Sequence, residues 1–332
     1  MWPSSDSGTW WRALILAPWL ALGSPGCQPK DATPPESTVP EGDADADADT
    51  DTDTDADSDT AVARVGDWVD LAVGVDFVCG IRDGGRLLCW GKNYYDQSKP
   101  PSGTFVKVRA APDGWFACAL TPSGRIHCWG LNNVGQTDAP AGVFTDLFVG
   151  GNASCAARID GRLICWGFSG GDVGAPPGGP IDSVSFPLST ACGLRPNGRI
   201  VCWGADTYET ETDQPPRGSF IALDCGQAQC FALDEDGRLN DWGQGPDPQW
   251  DVLPPEDAGY VGVQNSTYLG CASRSDHTTS CWGVTRLVPP PDPNDRILKM
   301  GAGLIFACFL NQDGRITCSG SDQYCDCFDI PD

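Results

Sequence analysis

A repeated pair of cysteines constrains the fold of this chain more than any other feature of its sequence. Six segments each hold two cysteines ten positions apart, and in five of them the second cysteine is followed by Trp-Gly. The pairs are Cys79/Cys89, Cys118/Cys128, Cys155/Cys165, Cys192/Cys202, Cys271/Cys281 and Cys308/Cys318. A degenerate copy keeps Trp242-Gly243 but has Phe231 and Asp241 at the cysteine positions. Corresponding positions recur every 37 to 40 residues, so the chain contains an array of seven units.

Each unit predicts a β-hairpin closed by a disulfide. Residues 192–204 read CGLRPNGRIVCWG, and Pro196-Asn197-Gly198 suits a three-residue hairpin loop with glycine in the left-handed position. Centring the hairpin on Asn197 places Cys192 opposite Cys202, within disulfide reach. We therefore predict six hairpin disulfides rather than a metal site, because structural zinc sites favour closer cysteine spacing. Cys225 and Cys230 of the degenerate unit are candidates for a substitute bridge, and the pairing of Cys325 and Cys327 stays open.

The spacing of the units predicts an all-β propeller of seven blades. A further strand is predicted before each hairpin, at 68–71, 105–108, 144–147, 181–184, 220–223, 260–263 and 297–300. The proline-rich passages after each Trp-Gly have room for at most a short outer strand. Three to four strands per unit are typical of a propeller blade, and seven units predict a closed ring. The recurrent Trp side chains are predicted to pack between blades.

The repeated core resembles that of a known family. The segments GRIHCWGLNNVGQ at 124–136 and CFLNQDGRITCSG at 308–320 are similar to the regulator of chromosome condensation repeat. The resemblance covers about residues 65–325, and the short blades look like those of bacterial members such as β-lactamase inhibitor protein II. It implies a seven-bladed propeller acting as a rigid disk, whose loops bind another macromolecule, usually a protein.

The N-terminus predicts export and a lipid anchor. An apolar stretch at 13–22 follows Arg12 and is too short to span a bilayer, which is typical of a signal peptide. Small residues then lead to Cys27, as in a bacterial lipoprotein signal, so residues 1–26 are predicted to be removed and Cys27 acylated. We expect a protein held in the bacterial cell envelope, at the outer membrane or cell surface. The alternative is ordinary signal cleavage and a secreted protein.

The acidic excess divides between a spacer and the repeat domain. The chain has a net charge of −24, and nine Asp occupy alternate positions from Asp43 to Asp59. Like charges at this density repel, so residues 27–61 are predicted to be a disordered linker and 62–332 the propeller. A calcium loop would need a glycine turn and a closing Glu, which the run lacks. The charge also disfavours a nucleic-acid partner.

The sequence predicts binding rather than catalysis. Two His are too few for a multi-histidine metal centre, and no nucleophile elbow or phosphate-binding loop is present, so we expect no catalytic residue, metal or cofactor. Loops that follow Trp-Gly should share one rim of a monomeric propeller and present a protein-binding surface. Its candidate residues are Tyr94, Tyr95, Phe168, Tyr208, Glu209 and Trp250. The alternative is a glycan-active hydrolase or lyase that uses a carboxylate pair on the propeller face.

Overall fold

The computed structural model describes residues 67–167, 174–187, 190–204, 212–227, 229–243, 257–266, 269–283, 296–304, 306–320 and 329–331. Within these ranges, 21 strands form seven three-stranded antiparallel sheets, all of them in one compact unit, Ala61–Asp332. No helix in these ranges is long and apolar enough to cross a bilayer. The predicted signal peptide, Cys27 and the acidic linker lie outside the described residues, so the predicted domain boundaries stay predictions.

Each sheet is one blade, and its strands follow the order of the chain from the inside outward. Blade 1 contains β1 (Trp68–Val73), β2 (Phe77–Arg82) and β3 (Leu87–Gly91); blade 2 contains β4 (Lys107–Ala110), β5 (Phe116–Leu120) and β6 (Ile126–Gly130); blade 3 contains β7 (Asp146–Gly150), β8 (Ala153–Ala157) and β9 (Leu163–Gly167). Blade 4 contains β10 (Ser183–Ser185), β11 (Thr190–Leu194) and β12 (Ile200–Gly204); blade 5 contains β13 (Phe220–Cys225), β14 (Gln229–Asp234) and β15 (Leu239–Gly243). Blade 6 contains β16 (Tyr260–Asn265), β17 (Leu269–Arg274) and β18 (Thr279–Gly283), and blade 7 contains β19 (Ile297–Ala302), β20 (Phe306–Asn311) and β21 (Ile316–Gly320).

The predicted hairpin register is confirmed. In blade 4, Leu194 lies opposite Ile200 and Cys192 opposite Cys202. Gly198 has a φ of 76°, and its N–H donates to the Arg195 carbonyl oxygen at 2.9 Å. The turn closes because glycine adopts this left-handed conformation without the clash that a Cβ would cause.

The inner strands of blades 2 to 4 begin two residues later than predicted. The Phe105 N–H donates to the carbonyl oxygen of Gly85, in the hairpin turn of blade 1, at 2.9 Å. Phe144 and Ile181 make the equivalent bond to the turn of the blade before them. These residues join neighbouring blades, as Trp68, Phe220 and Tyr260 also do, but they are not paired with the middle strand of their own blade, so its ladder begins after them.

The core consists of apolar layers between neighbouring blades. One such layer joins Cys79 and Ile81 of blade 1 to Phe105 and Val108 of blade 2. Equivalent layers follow around the ring, and the layer between blades 7 and 1 contains Trp68, Phe306 and Ile316. The Trp residues that precede glycine at 90, 129, 203, 242 and 282 are buried, which confirms that they pack between blades.

Disulfides close all seven blades. The structure joins the six predicted pairs, which are Cys79–Cys89, Cys118–Cys128, Cys155–Cys165, Cys192–Cys202, Cys271–Cys281 and Cys308–Cys318. Cys225–Cys230 supplies the seventh bridge in the degenerate blade. In blade 5 the bridge links the inner and middle strands, whereas in every other blade it links the middle and outer strands. Cys325 and Cys327 lie outside the described residues.

The two cysteines of a hairpin bridge differ in burial, a difference that the sequence pattern did not predict. The first cysteine of each pair lies on a middle strand and is fully buried. The second lies on an outer strand and is only partly buried, and this holds for Cys89, Cys128, Cys165, Cys202, Cys281 and Cys318. Within the described ranges the outer strand has a neighbouring strand of its blade on one side only, so its cysteine lies closer to solvent. Each bridge thus ties an edge strand to the core.

The ring closes between blades 7 and 1 and has two distinct faces. Trp68 N–H donates to the Gly314 carbonyl oxygen at 2.8 Å, and the Lys299 ammonium pairs with Asp70. We call the side that holds the middle-to-outer hairpin turns and the starts of the inner strands the hairpin face. The opposite side, where the outer strands end at Trp-Gly, is called the Trp-Gly face.

Candidate functional site

The loop at 92–99 presents two tyrosines on the Trp-Gly face. It follows Trp90-Gly91 at the end of β3 and leaves Tyr94 70% exposed and Tyr95 46% exposed. The Tyr95 ring also packs against Trp115 of blade 2, with ring centroids 5.7 Å apart. An exposed pair of large amphipathic rings on a supported loop is a typical protein-binding feature.

A buried glutamine holds this loop in shape. Gln97 has no exposed surface, and its Oε1 accepts the Tyr95 N–H at 2.8 Å. Its backbone carbonyl accepts the indole N–H of Trp129, in the next blade, at 2.8 Å. Ser98 N–H donates to Asn93 Oδ1 at 3.0 Å. Because these bonds fix the backbone before any partner arrives, little ordering entropy remains to be lost on binding.

Blade 2 repeats the same scaffold with different exposed side chains. Gln136 is also fully buried, and its Oε1 accepts the Val134 N–H at 3.0 Å. Its carbonyl accepts the Trp166 indole N–H at 2.9 Å, and Asn132 accepts the Thr137 N–H at 3.1 Å. The two loops also share a left-handed residue, Asp96 in blade 1 and Gly135 in blade 2. The scaffold is thus constant, and the side chain that it presents changes from tyrosine to valine.

Asp76 forms hydrogen bonds with both the tyrosine loop and blade 2. Its carboxylate accepts the Trp115 indole N–H at 3.1 Å and the Gln97 side-chain N–H at 3.5 Å. Burial raises the pKa of Asp76 above its ordinary value, and these two hydrogen bonds oppose that change. Asp76 therefore joins the aromatic packing of blade 2 to the loop of blade 1.

The structure places only part of the predicted partner-binding set. Tyr94 and Tyr95 lie on the predicted rim and are exposed. Phe168, Tyr208, Glu209 and Trp250 lie outside the described residues, so their role stays a prediction. Sequence reasoning missed Gln97 and Gln136, although each stands seven positions after the Trp of its Trp-Gly pair.

A cavity of about 240 Å³ lies on the ring axis, lined by the inner strands of all seven blades. Asp224 lines it and accepts the Ser185 hydroxyl at 2.7 Å and the Asn265 N–H at 2.8 Å. Burial is the main cause that raises the pKa of Asp224 to about 6; the charge of Asp113 also raises it, and the hydrogen bonds from Asn265, Ser185 and Cys225 oppose the change. Burial also raises the pKa of Asp113, which accepts the Gly151 N–H at 2.9 Å.

A belt of ion pairs crosses the inner strands nearer the hairpin face. Asp70 pairs with Lys299 of blade 7 and lies 3.7 Å from the Arg109 guanidinium of blade 2. Lys107 of blade 2 contacts Asp146 of blade 3 at 2.6 Å. Burial, followed by the charge of Arg109, lowers the pKa of Lys299 to about 8, and Asp70 opposes that shift. The belt joins four consecutive blades, and this arrangement indicates a structural role.

The central cavity is a poorer candidate for a functional site than the tyrosine loop. Its volume is below the 300–1,000 Å³ typical of small-molecule sites and leaves no room for a polysaccharide chain. Elsewhere, the sulfur atoms of Cys192, Cys225 and Cys230 lie within 4.8 Å of one another, but each belongs to a disulfide and is not available as a thiolate ligand.

The closed seven-bladed ring with disulfide-bonded hairpins and a preorganised loop rim defines a repeat propeller with a surface suited to binding. Residues 68–97 and 114–136, which lie in blades 1 and 2 of the propeller, match the Regulator of chromosome condensation (RCC1) repeat. No curated protein matches the sequence at a significant level.

Solved structures share this fold. The ectodomain of the receptor kinase CR4 from Physcomitrella patens is 25% identical, with 77% of this chain and 74% of that chain covered and a TM-score of 0.64. The CRINKLY WD40 ectodomain of the receptor kinase ACR4 from Arabidopsis thaliana is 20% identical, with 77% and 96% covered and a TM-score of 0.63. Prp20p from Saccharomyces cerevisiae, described together with its binding to Gsp1p and histones, is 13% identical, with 77% and 82% covered and a TM-score of 0.58.

Proposed function

We propose that this protein is a lipid-anchored, non-enzymatic propeller of the bacterial cell envelope that binds a protein partner through its Trp-Gly face. The observation that carries the proposal is the tyrosine loop, in which a buried glutamine fixes the backbone beneath Tyr94 and Tyr95. Tyrosine is enriched at binding hot spots because it buries a large area and loses little rotamer freedom.

The similar structures support this proposal at the level of the fold. Prp20p binds Gsp1p and histones, and yeast RCC1 (Prp20) has been crystallised bound to Kap60. Sequence identity to Prp20p is 13%, so the likeness supports protein binding by the propeller but does not identify the partner. The partner depends on the surface side chains of this chain.

A binding experiment with paired variants tests the function. Purified protein is titrated with solubilised envelope proteins, and candidate partners are identified by a photo-crosslinking residue placed at Tyr94. The double variant Tyr94→Ala/Tyr95→Ala should weaken a saturable interaction at least about tenfold, as expected for a hot spot. The control is Val261→Thr on the hairpin face, which should leave the affinity unchanged. No saturable partner, or equal affinity of both variants, argues against the proposal.

The anchor is tested separately. Intact mass spectrometry of the protein from a bacterial host should find a mature N-terminus at Cys27 that carries acyl groups. The Cys27→Ser variant should lose the added mass and leave the membrane fraction. An unmodified Cys27, or Cys27 in a disulfide, contradicts the lipid anchor without bearing on the tyrosine loop.

A further inference from the structure

Exposed aliphatic side chains form a ring on the hairpin face. In five blades the second residue of the inner segment is a large aliphatic that is 48 to 56% exposed: Val69, Val106, Ile221, Val261 and Leu298. In four of these blades the register shifts at this residue, so that it is the extra residue of a β-bulge. A bulge redirects a side chain out of the ladder, and here it turns an apolar side chain toward solvent.

Among the residues that the structure describes, the same face holds most of the exposed large hydrophobic side chains. Val143 and Ile159, both beside hairpin turns, are 70% and 91% exposed. Of the ten large hydrophobic side chains that the described residues expose, seven lie on this face, and all seven are aliphatic. Concentration of apolar surface on one side of a soluble unit marks an interaction surface.

A ring of arginines surrounds the aliphatic ring. The residue after the turn glycine is an exposed arginine in six blades: Arg86, Arg125, Arg162, Arg199, Arg238 and Arg315. Three of them pair with an aspartate of their own turn, at Asp160, Asp236 and Asp313. Within the described ranges, Arg86, Arg125 and Arg199 have no carboxylate within 4 Å, so their guanidinium groups are available to an anionic partner.

We propose that the hairpin face rests on an anionic lipid surface. Equivalent positions of a propeller lie at one height along the ring axis, so both rings are nearly planar and match a bilayer better than an irregular protein surface. Guanidinium groups bind phosphate in a bidentate manner, and aliphatic side chains enter the boundary between headgroups and acyl chains. Protein hot spots favour aromatic residues and contain little Val or Leu, and the exposed tyrosines lie on the other face.

The position of the chain entry agrees with this orientation. Strand β1 begins on the hairpin face, where Trp68 bonds to the turn of blade 7. The described part of the chain thus begins, at Asp67, on the side that would face the membrane. The Trp-Gly face would point away from the bilayer, toward a protein partner.

Acidic side chains lie on both faces of the domain, and those of the Trp-Gly face are remote from the proposed contact. Strands of five to six residues span about 17–20 Å, which separates the two faces. At physiological ionic strength the Debye length is about 8 Å, so acidic groups on the Trp-Gly face are largely screened from the lipid surface. On the hairpin face, Asp160, Asp236 and Asp313 pair with arginines of their own turns. Arg86, Arg125 and Arg199 are therefore the cations that would meet lipid phosphates, beside the exposed turn acids Asp83, Glu235 and Asp276.

Vesicle co-sedimentation tests the proposal without any acyl anchor. The full chain carrying Cys27→Ser is mixed with vesicles of phosphatidylglycerol and phosphatidylethanolamine, and in parallel with vesicles of phosphatidylcholine alone. Saturable binding is expected on the anionic vesicles and should weaken with added salt. Replacing Arg86, Arg125 and Arg199 by Gln should weaken binding about fivefold for each arginine. The pair Val106→Asp/Val261→Asp should also lower it.

Tyr94→Asp, on the opposite face, is the matched control and should bind vesicles like the parent. Circular dichroism and thermal unfolding of every variant should match the parent, because all substituted side chains are exposed. Absence of vesicle binding, equal binding to phosphatidylcholine, or loss only in Tyr94→Asp overturns the proposal. Loss of a protein interaction in the hairpin-face variants, with vesicle binding unchanged, assigns the face to a protein and overturns it as well. The expected vesicle binding depends neither on the tyrosine loop nor on acylation of Cys27.

Discussion

Glycine in a hairpin turn is required both by backbone conformation and by the space available. A Cβ on Gly198 would lie 2.3 Å from Ser219 Oγ and 3.0 Å from the backbone nitrogen of Phe220, at a φ of 76°. A Cβ on Gly84 would meet nothing within 4 Å at a similar φ of 86°. Substituting alanine at these two positions therefore distinguishes the cost of backbone strain, which both share, from the cost of crowding, which only Gly198 has.

We expect Gly198→Ala to cost about 2–3 kcal/mol of unfolding free energy and Gly84→Ala about 1 kcal/mol. Both variants adopt the left-handed conformation, but only the first forces the start of β13 away from the turn of blade 4. Urea unfolding at neutral pH measures the difference. Equal losses would mean that crowding against Ser219 and Phe220 is relieved by a small backbone shift.

The raised pKa of Asp224 makes stability depend on pH. Because the folded protein holds this proton more tightly than the unfolded chain, Asp224 favours folding at acidic pH, and this contribution is lost as the pH rises from about 4 to 6. We expect the unfolding free energy of the native protein, relative to Asp224→Asn, to fall by about 1–3 kcal/mol between pH 4 and pH 7. Because the charge of Asp113 raises the pKa of Asp224, the difference between the two proteins includes the coupling of these two carboxyls. Parallel stability curves for the two proteins would contradict the assignment.

At the level of single residues, the sequence predicted those whose role is local. The turn glycines and the paired cysteines follow from hairpin geometry, because their partners lie within about ten positions. Gln97 and Asp76 were missed because their partners, Trp129 and Trp115, belong to the next blade. A polar residue that is buried by a neighbour distant in sequence leaves no local pattern.

Among the elements, blade 5 differs from the others in how its disulfide is placed. Cys225–Cys230 joins β13 to β14, and its sulfur atoms lie within 4.8 Å of Cys192 in blade 4. Disulfides exchange when a thiolate attacks a neighbouring S–S bond, which forms one bond and releases one thiolate. The proximity of these sulfur atoms thus provides a route for exchange between two blades.

We expect Cys202→Ser to promote this exchange. The substitution frees Cys192, whose thiolate attacks the Cys225–Cys230 bond and leaves the displaced cysteine as the new free thiol. Peptide mapping without reduction should detect Cys192 joined to Cys225 or Cys230. The control is Cys165→Ser, which frees Cys155, because no other group of three cysteine sulfurs among the described residues lies as close together. A Cys202→Ser protein that keeps only its original bridges would show that the sulfur atoms cannot align for attack.

The elements themselves could be predicted where the repeat is local. Hairpin strands and turns repeat a short pattern, and the structure confirms their register. The starts of the inner strands were predicted too early in blades 2 to 4, where the first predicted residue is not paired with the middle strand, whereas in blades 1, 5 and 6 it is paired across a bulge. Bulges at Val69 and Ile221 were not predicted either, since a bulge depends on the partner strand as much as on its own sequence.

At the scale of the whole molecule, repetition predicted the ring but not the difference between its faces. The number of units gave seven blades, whereas the placement of Tyr94 on one face and Val261 on the other depends on where each loop emerges. The two faces together suggest a membrane on one side and a protein partner on the other. The belt of ion pairs around Asp70 holds this arrangement together at the junction of the last and first blades.

Removing Asp70 should therefore weaken ring closure. Asp70 is largely buried and faces both Lys299 and Arg109, so Asp70→Ala leaves two cations without their shared partner, at a cost of about 3 kcal/mol. Asp146→Ala removes one partner of the more exposed Lys107 pair and should cost less than about 1 kcal/mol. The double variant Asp70→Ala/Lys299→Met should recover part of the loss, because one uncompensated charge has gone. Urea unfolding of the three variants measures these differences, and similar costs for the two single variants would mean that the Asp70 pairs contribute no more to closure than a surface contact does.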